Sequence, residues 1–286
     1  MTVATQTFAD RLAAEVERKR SQLVVGLDPR VDLLPVELRG DVARFCCGLV
    51  DAVCPHVAAV KPQLAFFERL GPEGMAAFDE VCSYAHRAGL LVIGDGKRGD
   101  IGSTARAYAE AYLEGETPRV DALTVNPYLG RESIEPYLSA ARRNGTGVFV
   151  LVKTSNAGAD VQDVTLSDGR PLWQHIATLV AEWGEELVGE IGLSAVGAVV
   201  GATHPRAVAE ARRLMPQAIL LLPGIGAQGG AVADLERAFQ SGPASALVNA
   251  SRSVNYAFRE GEGDYRQAAG AEAARLKREI WAASGW

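Results

Sequence analysis

Short apolar runs alternate with amphipathic helical stretches along most of the chain. The apolar runs lie at residues 23–27, 57–60, 90–97, 122–125, 147–152, 196–201, 219–222 and 246–250. Apolar runs of this length, separated by helical patterns, indicate βαβ units and a parallel sheet. Eight units over about 260 residues match the (β/α)8 TIM barrel in number and length. We therefore expect an α/β fold with a single barrel domain over residues 1–286.

An extra helix is expected before the first strand. Thr7 and Asp10 resemble a capping box, and Phe8 and Leu12 begin an apolar repeat of four residues. This pattern predicts a helix over residues 8–19. The later helices are expected over residues 36–53, 71–88, 103–113, 132–144, 172–187, 204–214 and 265–283.

One connection does not fit the simple alternation. Residues 157–171 are polar and too many for an ordinary link between a strand and a helix. They form either a lid or an excursion with its own role. The pattern assigns no function to residues 158–170 or to Lys153, which ends the fifth run.

Nearly every apolar run ends at a polar side chain. These residues are Asp28, Lys61, Asp95 with Lys97, Asn126, Lys153 with Ser155, and Arg252. In a (β/α)8 barrel the carboxyl ends of the strands meet at one mouth, where active sites lie. A single polar residue at such a position is typical of a strand end, but the recurrence favours a shared site.

The third run carries the highest density of charge. If residues 90–97 are extended, Asp95 and Lys97 lie on one face, and Asp100 follows just past the strand end. This spacing alone usually marks a solvated ion pair. Here the charges end a strongly apolar run, and three glycines within residues 94–99 leave room for a substrate. The stretch is therefore predicted to be functional.

A phosphate site is expected at the last two strands. The loop from Gly224 to Gly230 supplies backbone N–H groups and the side-chain amide of Gln228 before a helix, and Arg252 follows the eighth run. Barrel enzymes often bind phosphate between these two connections. The pattern predicts a phosphorylated substrate.

Amino-acid composition further narrows the class of protein that the sequence can encode. The net charge of −6 argues against a general nucleic-acid binder, and the 48% apolar content is sufficient for a large core. The N-terminus has no signal-peptide pattern, and no apolar run is long enough to span a membrane, so a cytoplasmic protein is expected. The four cysteines lack the spacing of a zinc site, and no metal or cofactor is expected.

Together these stretches resemble the orotidine 5′-phosphate decarboxylase family in its longer bacterial form. The resemblance rests on Leu27-Asp28-Pro29, Lys61-Pro62, Asp95 to Ile101 with Thr104, Thr154-Ser155-Asn156, Pro223 to Gly230, and Arg252. It implies decarboxylation of orotidine 5′-monophosphate to UMP without a metal or cofactor. It also implies a homodimer whose active sites are shared between subunits.

The resemblance implies a role for each matching residue. Lys97, Asp95, Asp100 and Lys61 would form the catalytic charge array, with Lys97 as the proton donor and Asp95 beside the substrate carboxylate. The substrate-binding residues would be Asp28 and Lys61 at the ribose, Ser155 at the pyrimidine, Gln228 and Arg252 at the phosphate, and Asp100, Ile101 and Thr104 reaching the neighbouring subunit's site.

Other functions remain open from the sequence. A magnesium-dependent sugar-phosphate decarboxylase or a hexulose-phosphate synthase shares the third-strand pattern, but such relatives carry an acidic residue where Lys61 stands. An aldolase would use Lys97, Lys61 or Lys153 as a Schiff base, which the neighbouring acids disfavour by keeping the amine protonated. A phosphate-binding barrel without chemistry would not require the charge array.

Overall fold

The computed structural model describes residues 6–225, 232–260 and 263–286, without the side chains at positions 233 and 260. Eight parallel strands hydrogen-bond in chain order and β8 closes onto β1, so they form a complete barrel. The strands are β1 (Leu23–Leu27), β2 (Ala59–Pro62), β3 (Leu91–Arg98), β4 (Ala122–Val125), β5 (Gly147–Lys153), β6 (Ser194–Val200), β7 (Ala218–Pro223) and β8 (Ala246–Ala250). The predicted (β/α)8 fold is confirmed.

Helices follow the strands around the outside of the barrel. They are α1 (Phe8–Lys19), α2 (Val42–Val53), α3 (Leu64–Glu68), α4 (Gly71–Arg87), α5 (Gly102–Leu113), α6 (Arg131–Asn144), α7 (Leu172–Gly184), α8 (Pro205–Leu214), α9 (Arg252–Asn255) and α10 (Tyr265–Ser284). Short 3-10 helices lie at Val31–Leu33, Val36–Leu38, Cys54–His56, Ala159–Asp163, Glu185–Leu187, Val232–Phe239 and Ala257–Glu260. Within the described ranges, no helix is both long and apolar enough to cross a membrane.

The strands are apolar because both of their faces are covered. Every residue of β1, β2, β4, β6 and β8 is buried. Strands of a parallel sheet enclosed by helices therefore appear as continuous apolar runs rather than alternating ones. Strand β3 differs, since its last three residues open toward solvent. That opening places the charged end of β3 at the mouth.

The predicted extra helix α1 has the expected bounds and lies across the amino-terminal end of the barrel. Its cap is Thr7, whose hydroxyl accepts from the Asp10 N–H at 3.2 Å. Phe8 packs edge-to-face on Phe149 of β5 with ring centroids 5.9 Å apart. Arg11 pairs with Asp121, just before β4, at 2.5 Å. The helix therefore closes the end opposite the mouth.

Two predicted boundaries are wrong. The helix expected from residue 36 begins at Val42, because Asp41 caps it by accepting from the Arg44 N–H and Gly40 has φ +84°, which interrupts the helical backbone. The second strand was expected over residues 57–60 but runs from Ala59 to Pro62, so it includes Lys61 and Pro62. Its ladder with β3 is registered at residues 59–60, so Pro62 lies beyond the point where its missing N–H would break a bond to β3. The other predicted elements differ by three residues or fewer.

Candidate active site

A cavity of about 180 Å³ lies at the carboxyl ends of the strands. Its lining comes from the ends of β1, β2, β3, β7 and β8, which the sequence places around one mouth. Four predicted site residues line it, and these are Asp28, Lys61, Asp95 and Arg252. The convergence expected from the polar strand ends is therefore present for these residues.

Asp95 joins two lysines from neighbouring strands. Its Oδ2 lies 2.5 Å from Nζ of Lys61, and its Oδ1 lies 2.5 Å from Nζ of Lys97. The side chains of Asp95 and Lys61 are almost fully buried, whereas that of Lys97 is 45% exposed. One carboxylate thus orients two ammonium groups, of which only Lys97 reaches toward solvent. This agrees with the shared face expected for Asp95 and Lys97.

Strand β3 is not regular where it carries these charges. Its register with β4 shifts between Gly94 and Arg98, and Lys97 has φ +47°, in the left-handed region. The prediction of an ordinary period of two through residue 97 is therefore wrong, although the two side chains still meet. A non-glycine residue in this region costs about 1–3 kcal/mol and persists only where its surroundings hold it.

Thr124 of β4 holds the irregular part of β3. Its hydroxyl oxygen accepts from the Lys97 N–H at 2.9 Å and donates to Asp95 Oδ1 at 3.1 Å. The residue is 1% exposed. Sequence reasoning did not single it out, and the only available signal was one hydroxyl in an otherwise apolar strand.

Asp28 is fixed by two residues that follow β8. Its N–H donates to Oδ1 of Asn255 at 3.0 Å, and Nδ2 of Asn255 donates to the Gly26 carbonyl at 2.7 Å. The Tyr256 hydroxyl donates to the Asp28 carbonyl at 2.6 Å. Oδ1 of Asp28 is buried without a hydrogen-bond partner. The backbone of Asp28 is thus held beside the cavity, and one oxygen of its carboxylate lacks a hydrogen-bond partner there.

The pKa values at the cavity follow from burial and from the alternation of charge. Burial raises the pKa of Asp28, although Lys61 opposes the rise. Burial alone would lower the pKa of Lys61, but Asp95 and Asp28 outweigh it and the pKa is raised. Burial likewise disfavours the Asp95 carboxylate, yet Lys61 and Lys97 lower its pKa well below the usual range. Lys61 and Asp95 are therefore both charged at neutral pH.

Arg98 anchors the outer end of β3. Its guanidinium pairs with Glu68 at the end of α3 and lies 5.4 Å from the ring centroid of Tyr108 in α5. It also lies 5.9 Å from the ring of Tyr112. Sequence reasoning did not assign it a role. The contacts tie the turn after Lys97 to the helix that follows it.

The expected phosphate end is partly described. Arg252 is exposed at the first position of α9 and lines the cavity. Two further polar atoms that sequence reasoning missed, Asn249 Oδ1 and Ser253 Oγ, belong to lining residues and are buried without a hydrogen-bond partner. The predicted phosphate contact Gln228 lies outside the described residues.

Other predicted residues lie around the mouth rather than at the charge array. Asp100 is half-buried and its Oδ1 accepts from the Ile101 N–H at 2.8 Å. Ile101 is 52% exposed and Thr104 is exposed on the first turn of α5. Ser155 follows β5 and lies against Gly201, where an added Cβ would come within 2.9 Å of the Ser155 Cβ.

The long connection after β5 is packed onto the end of that strand. Lys153 is 5% exposed, and its ammonium donates to Asp163 at 2.7 and 2.8 Å and to the Ala159 carbonyl at 3.2 Å. Gln162 accepts from the Thr154 N–H at 2.9 Å. Residues 157–171 were interpreted as either a lid or an excursion. These contacts hold the first half of the segment beside the mouth.

These features define a class of protein: a (β/α)8 barrel with a row of acidic and basic side chains, of which Lys61 and Asp95 are buried, in a small concave site at its mouth. Residues 21–262 match the family model described as Orotidine 5′-phosphate decarboxylase / HUMPS. The chain belongs to this family, as its motifs suggested.

Similar proteins cover nearly the whole chain. Homologues named orotidine 5′-phosphate decarboxylase from Rhodopirellula baltica and Deinococcus radiodurans are 48% and 49% identical over 274 and 269 residues. The alignments cover 90% and 93% of this chain and 90% and 95% of those proteins.

Solved structures agree with this placement. A Streptomyces avermitilis homologue has a TM-score of 0.85 at 40% identity, with 99% of this chain and 98% of that chain covered. The structure of Leishmania donovani OMP decarboxylase has a TM-score of 0.77 at 34% identity, with 98% and 100% covered.

Proposed function

We propose that this protein is an orotidine 5′-phosphate decarboxylase, a carboxy-lyase that converts orotidine 5′-monophosphate to UMP in pyrimidine biosynthesis. The observation that carries the proposal is the row of alternating charges formed by Asp28, Lys61, Asp95 and Lys97 at the mouth. The family match and the homologues named for this activity support it.

The proposed chemistry follows from charge placement. The bond between the pyrimidine C6 and the carboxylate breaks, its electron pair remains on C6, and CO2 leaves. The ammonium of Lys97 stabilises the growing negative charge and then transfers a proton to C6. Asp95 orients the ammonium of Lys97 by accepting a hydrogen bond from its Nζ at 2.5 Å. No redox step or covalent intermediate is needed, so the reaction requires no cofactor.

The contacts proposed to bind the substrate lie mostly on its ribose and phosphate groups, away from the reacting carbon. Asp28 and Lys61 are assigned to the ribose hydroxyls, which would supply the hydrogen-bond partner that Oδ1 of Asp28 lacks. Arg252 is assigned to the phosphate, where a guanidinium can make two hydrogen bonds, and Gln228 is retained from the family motif. Ser155 is assigned to the pyrimidine. Binding energy from the phosphate aligns the ring over the charge row.

The active form is proposed to be a homodimer. Asp100, Ile101 and Thr104 would reach the site of the other subunit, as the family motif implies. Exposed apolar side chains on the same side support this, since Ile101, Tyr128 and Leu129 are 52%, 86% and 49% exposed. A contact between two copies would remove this apolar surface from water.

The magnesium-dependent alternative is less compatible with the geometry. A metal ion would require carboxylate oxygens, but both oxygens of Asp95 are taken by ammonium groups. Among the described residues, no cluster of three or more His, Cys, Asp or Glu side chains is arranged to hold a metal. Loss of activity on orotidine 5′-monophosphate in the presence of EDTA would favour this alternative.

The test is direct turnover of orotidine 5′-monophosphate to UMP by the purified protein. Lys97→Ala should lower kcat by several orders of magnitude, each factor of ten being about 1.4 kcal/mol of barrier. Arg252→Ala should raise KM, whereas Arg213→Ala, at an exposed position on α8, should not. Turnover that survives Lys97→Ala in a folded protein would refute the assigned chemistry.

Mixing two inactive variants tests the shared site. Hybrid dimers of Lys97→Ala and Asp100→Ala subunits contain one site with both native residues. Random exchange makes half of the dimers hybrid, so about a quarter of wild-type activity should return. No recovery after verified exchange would argue against sharing.

A further inference from the structure

The end of β3 contains two residues more than its partner strand. Gly94 is registered with Leu123 and Arg98 with Val125, so the three residues 95–97 face Thr124 alone. Such a bulge leaves backbone groups without ladder partners and redirects side chains. Here Asp95 lines the cavity and the ammonium of Lys97 reaches the Asp95 carboxylate. Something must hold the bulge, since Lys97 has φ +47°.

The Thr124 hydroxyl replaces the missing ladder contact. It accepts from the Lys97 N–H at 2.9 Å, and its own proton goes to Asp95 Oδ1 at 3.1 Å. That same Oδ1 accepts from Lys97 Nζ at 2.5 Å. One buried hydroxyl therefore fixes both the backbone of the lysine and the carboxylate that orients its ammonium.

We propose that Thr124 is a positioning residue for decarboxylation, acting through Asp95 and Lys97 rather than on the substrate. This inference rests on the proposed function of those two residues. A β-branched side chain has few χ1 rotamers, so the hydroxyl is held in place before the substrate arrives. The ground-state contacts with the phosphate and ribose lie elsewhere. Thr124 therefore affects kcat more than KM.

The test compares Thr124→Val with Thr124→Ser. Valine keeps the shape but removes both hydrogen bonds, whereas serine keeps the hydroxyl. The matched control is Thr146→Val, because Thr146 is 1% exposed and its hydroxyl has no hydrogen-bond partner. Thr124→Val should lower kcat by about 100-fold, the effect of a displacement near 1 Å, with KM within about threefold. Thr124→Ser should restore most of kcat, and Thr146→Val should leave it unchanged.

Equal kcat in Thr124→Val and Thr146→Val would overturn the proposal, as would a loss confined to KM. If Thr124→Val does not fold, Thr124→Cys and Thr124→Ser give the same comparison, because the thiol is a much weaker hydrogen-bonding group. A Cys variant as active as the Ser variant would then count against the proposal.

A second measurement separates this inference from the proposed activity. Hydrogen exchange of the Lys97 amide should be at least tenfold faster in Thr124→Val than in Thr146→Val, because its acceptor is removed. If the wild-type protein does not turn over orotidine 5′-monophosphate, the proposed function fails, and the exchange rate alone decides whether Thr124 holds the backbone of Lys97. An unchanged exchange rate of the Lys97 amide would refute that positioning role.

Discussion

Removing the charge of Asp95 should destabilise the protein through Lys61. Asp95→Asn keeps the side-chain shape but leaves the Lys61 ammonium, 5% exposed, without its partner at 2.5 Å. At that distance the attraction is about 7 kcal/mol for an effective dielectric constant near 20. Desolvation of both groups offsets most of it, but leaving one buried charge unpaired typically costs about 3–5 kcal/mol. Because Asp28 also favours charged Lys61, we expect a loss of about 3 kcal/mol.

The pair with Lys97 adds little to this loss. The Lys97 side chain is 45% exposed, so solvent screens its attraction to Asp95. Exposed ion pairs contribute at most about 1 kcal/mol. The free energy of unfolding should therefore reflect Lys61, even though Lys97 makes an equally short contact.

The pH dependence identifies the responsible group. In the native protein the pKa of Lys61 is raised above its usual 10.5, so its stabilising effect is present below that pH and is lost as pH rises through the raised value. In Asp95→Asn burial should dominate and lower the pKa of Lys61. The variant should then gain stability as pH rises toward 10.5. The difference between the two proteins should shrink at alkaline pH.

Urea unfolding at pH 7.5 and pH 10.5 measures both effects. Asp32→Asn is the control, since Asp32 pairs with Arg30 in an exposed contact and should leave the unfolding midpoint unchanged. A loss below 1 kcal/mol at pH 7.5, or one that is the same at both pH values, would refute the assignment of the effect to a buried lysine.

Three further predictions concern other parts of the molecule. Arg212 is 3% exposed and donates five hydrogen bonds to backbone carbonyls. Arg212→Met should therefore lower the free energy of unfolding by at least about 3 kcal/mol. Arg213→Met should not lower it, and thermal unfolding measures both variants. Asp163→Asn should speed chymotryptic cleavage after Leu166 by about 5–30-fold, since the half-exposed Asp163 should contribute only about 1–2 kcal/mol to holding the segment against the end of β5. Cleavage no faster than in Asp160→Asn, scored by mass spectrometry, would contradict this role of Asp163. Burial raises the pKa of the Cys47 thiol to about 11. Alkylation of Cys47 at pH 8 should therefore be at least about tenfold slower than that of glutathione, and it should accelerate toward pH 11. An alkylation rate independent of pH would contradict this.

The sequence predicted the barrel because its strands are enclosed on both sides. Continuous apolar runs such as β6 are the direct result of that enclosure. The predicted start of α2 was wrong because Leu38, four residues before Val42, extends the apolar repeat of the helix, whereas Val36–Leu38 forms only a 3-10 turn. Periodicity does not separate these two structures over so few residues.

The site was predicted less completely because part of it depends on contacts between strands. Asp95 and Lys61 were found from their positions at strand ends. The bulge in β3 depends on its register with β4, and Thr124 acquires its meaning only opposite that bulge. Asn255 likewise gives no sequence signal, since its partners Gly26 and Asp28 lie more than 200 positions earlier.

The placement of α1 has a consequence for how the chain folds. The helix is synthesised long before its partners: Asp121 lies 110 residues after Arg11, and the N–H of Ile191 that donates to Asp10 lies 181 residues after Asp10. Contacts of such separation form late because long loops must close first. Until β4 to β6 are in place, the apolar face of α1 with Phe8 and Leu12 has no surface to cover. During synthesis α1 therefore emerges well before the surface that it covers, and chaperone binding or aggregation through its apolar face is to be expected in that interval.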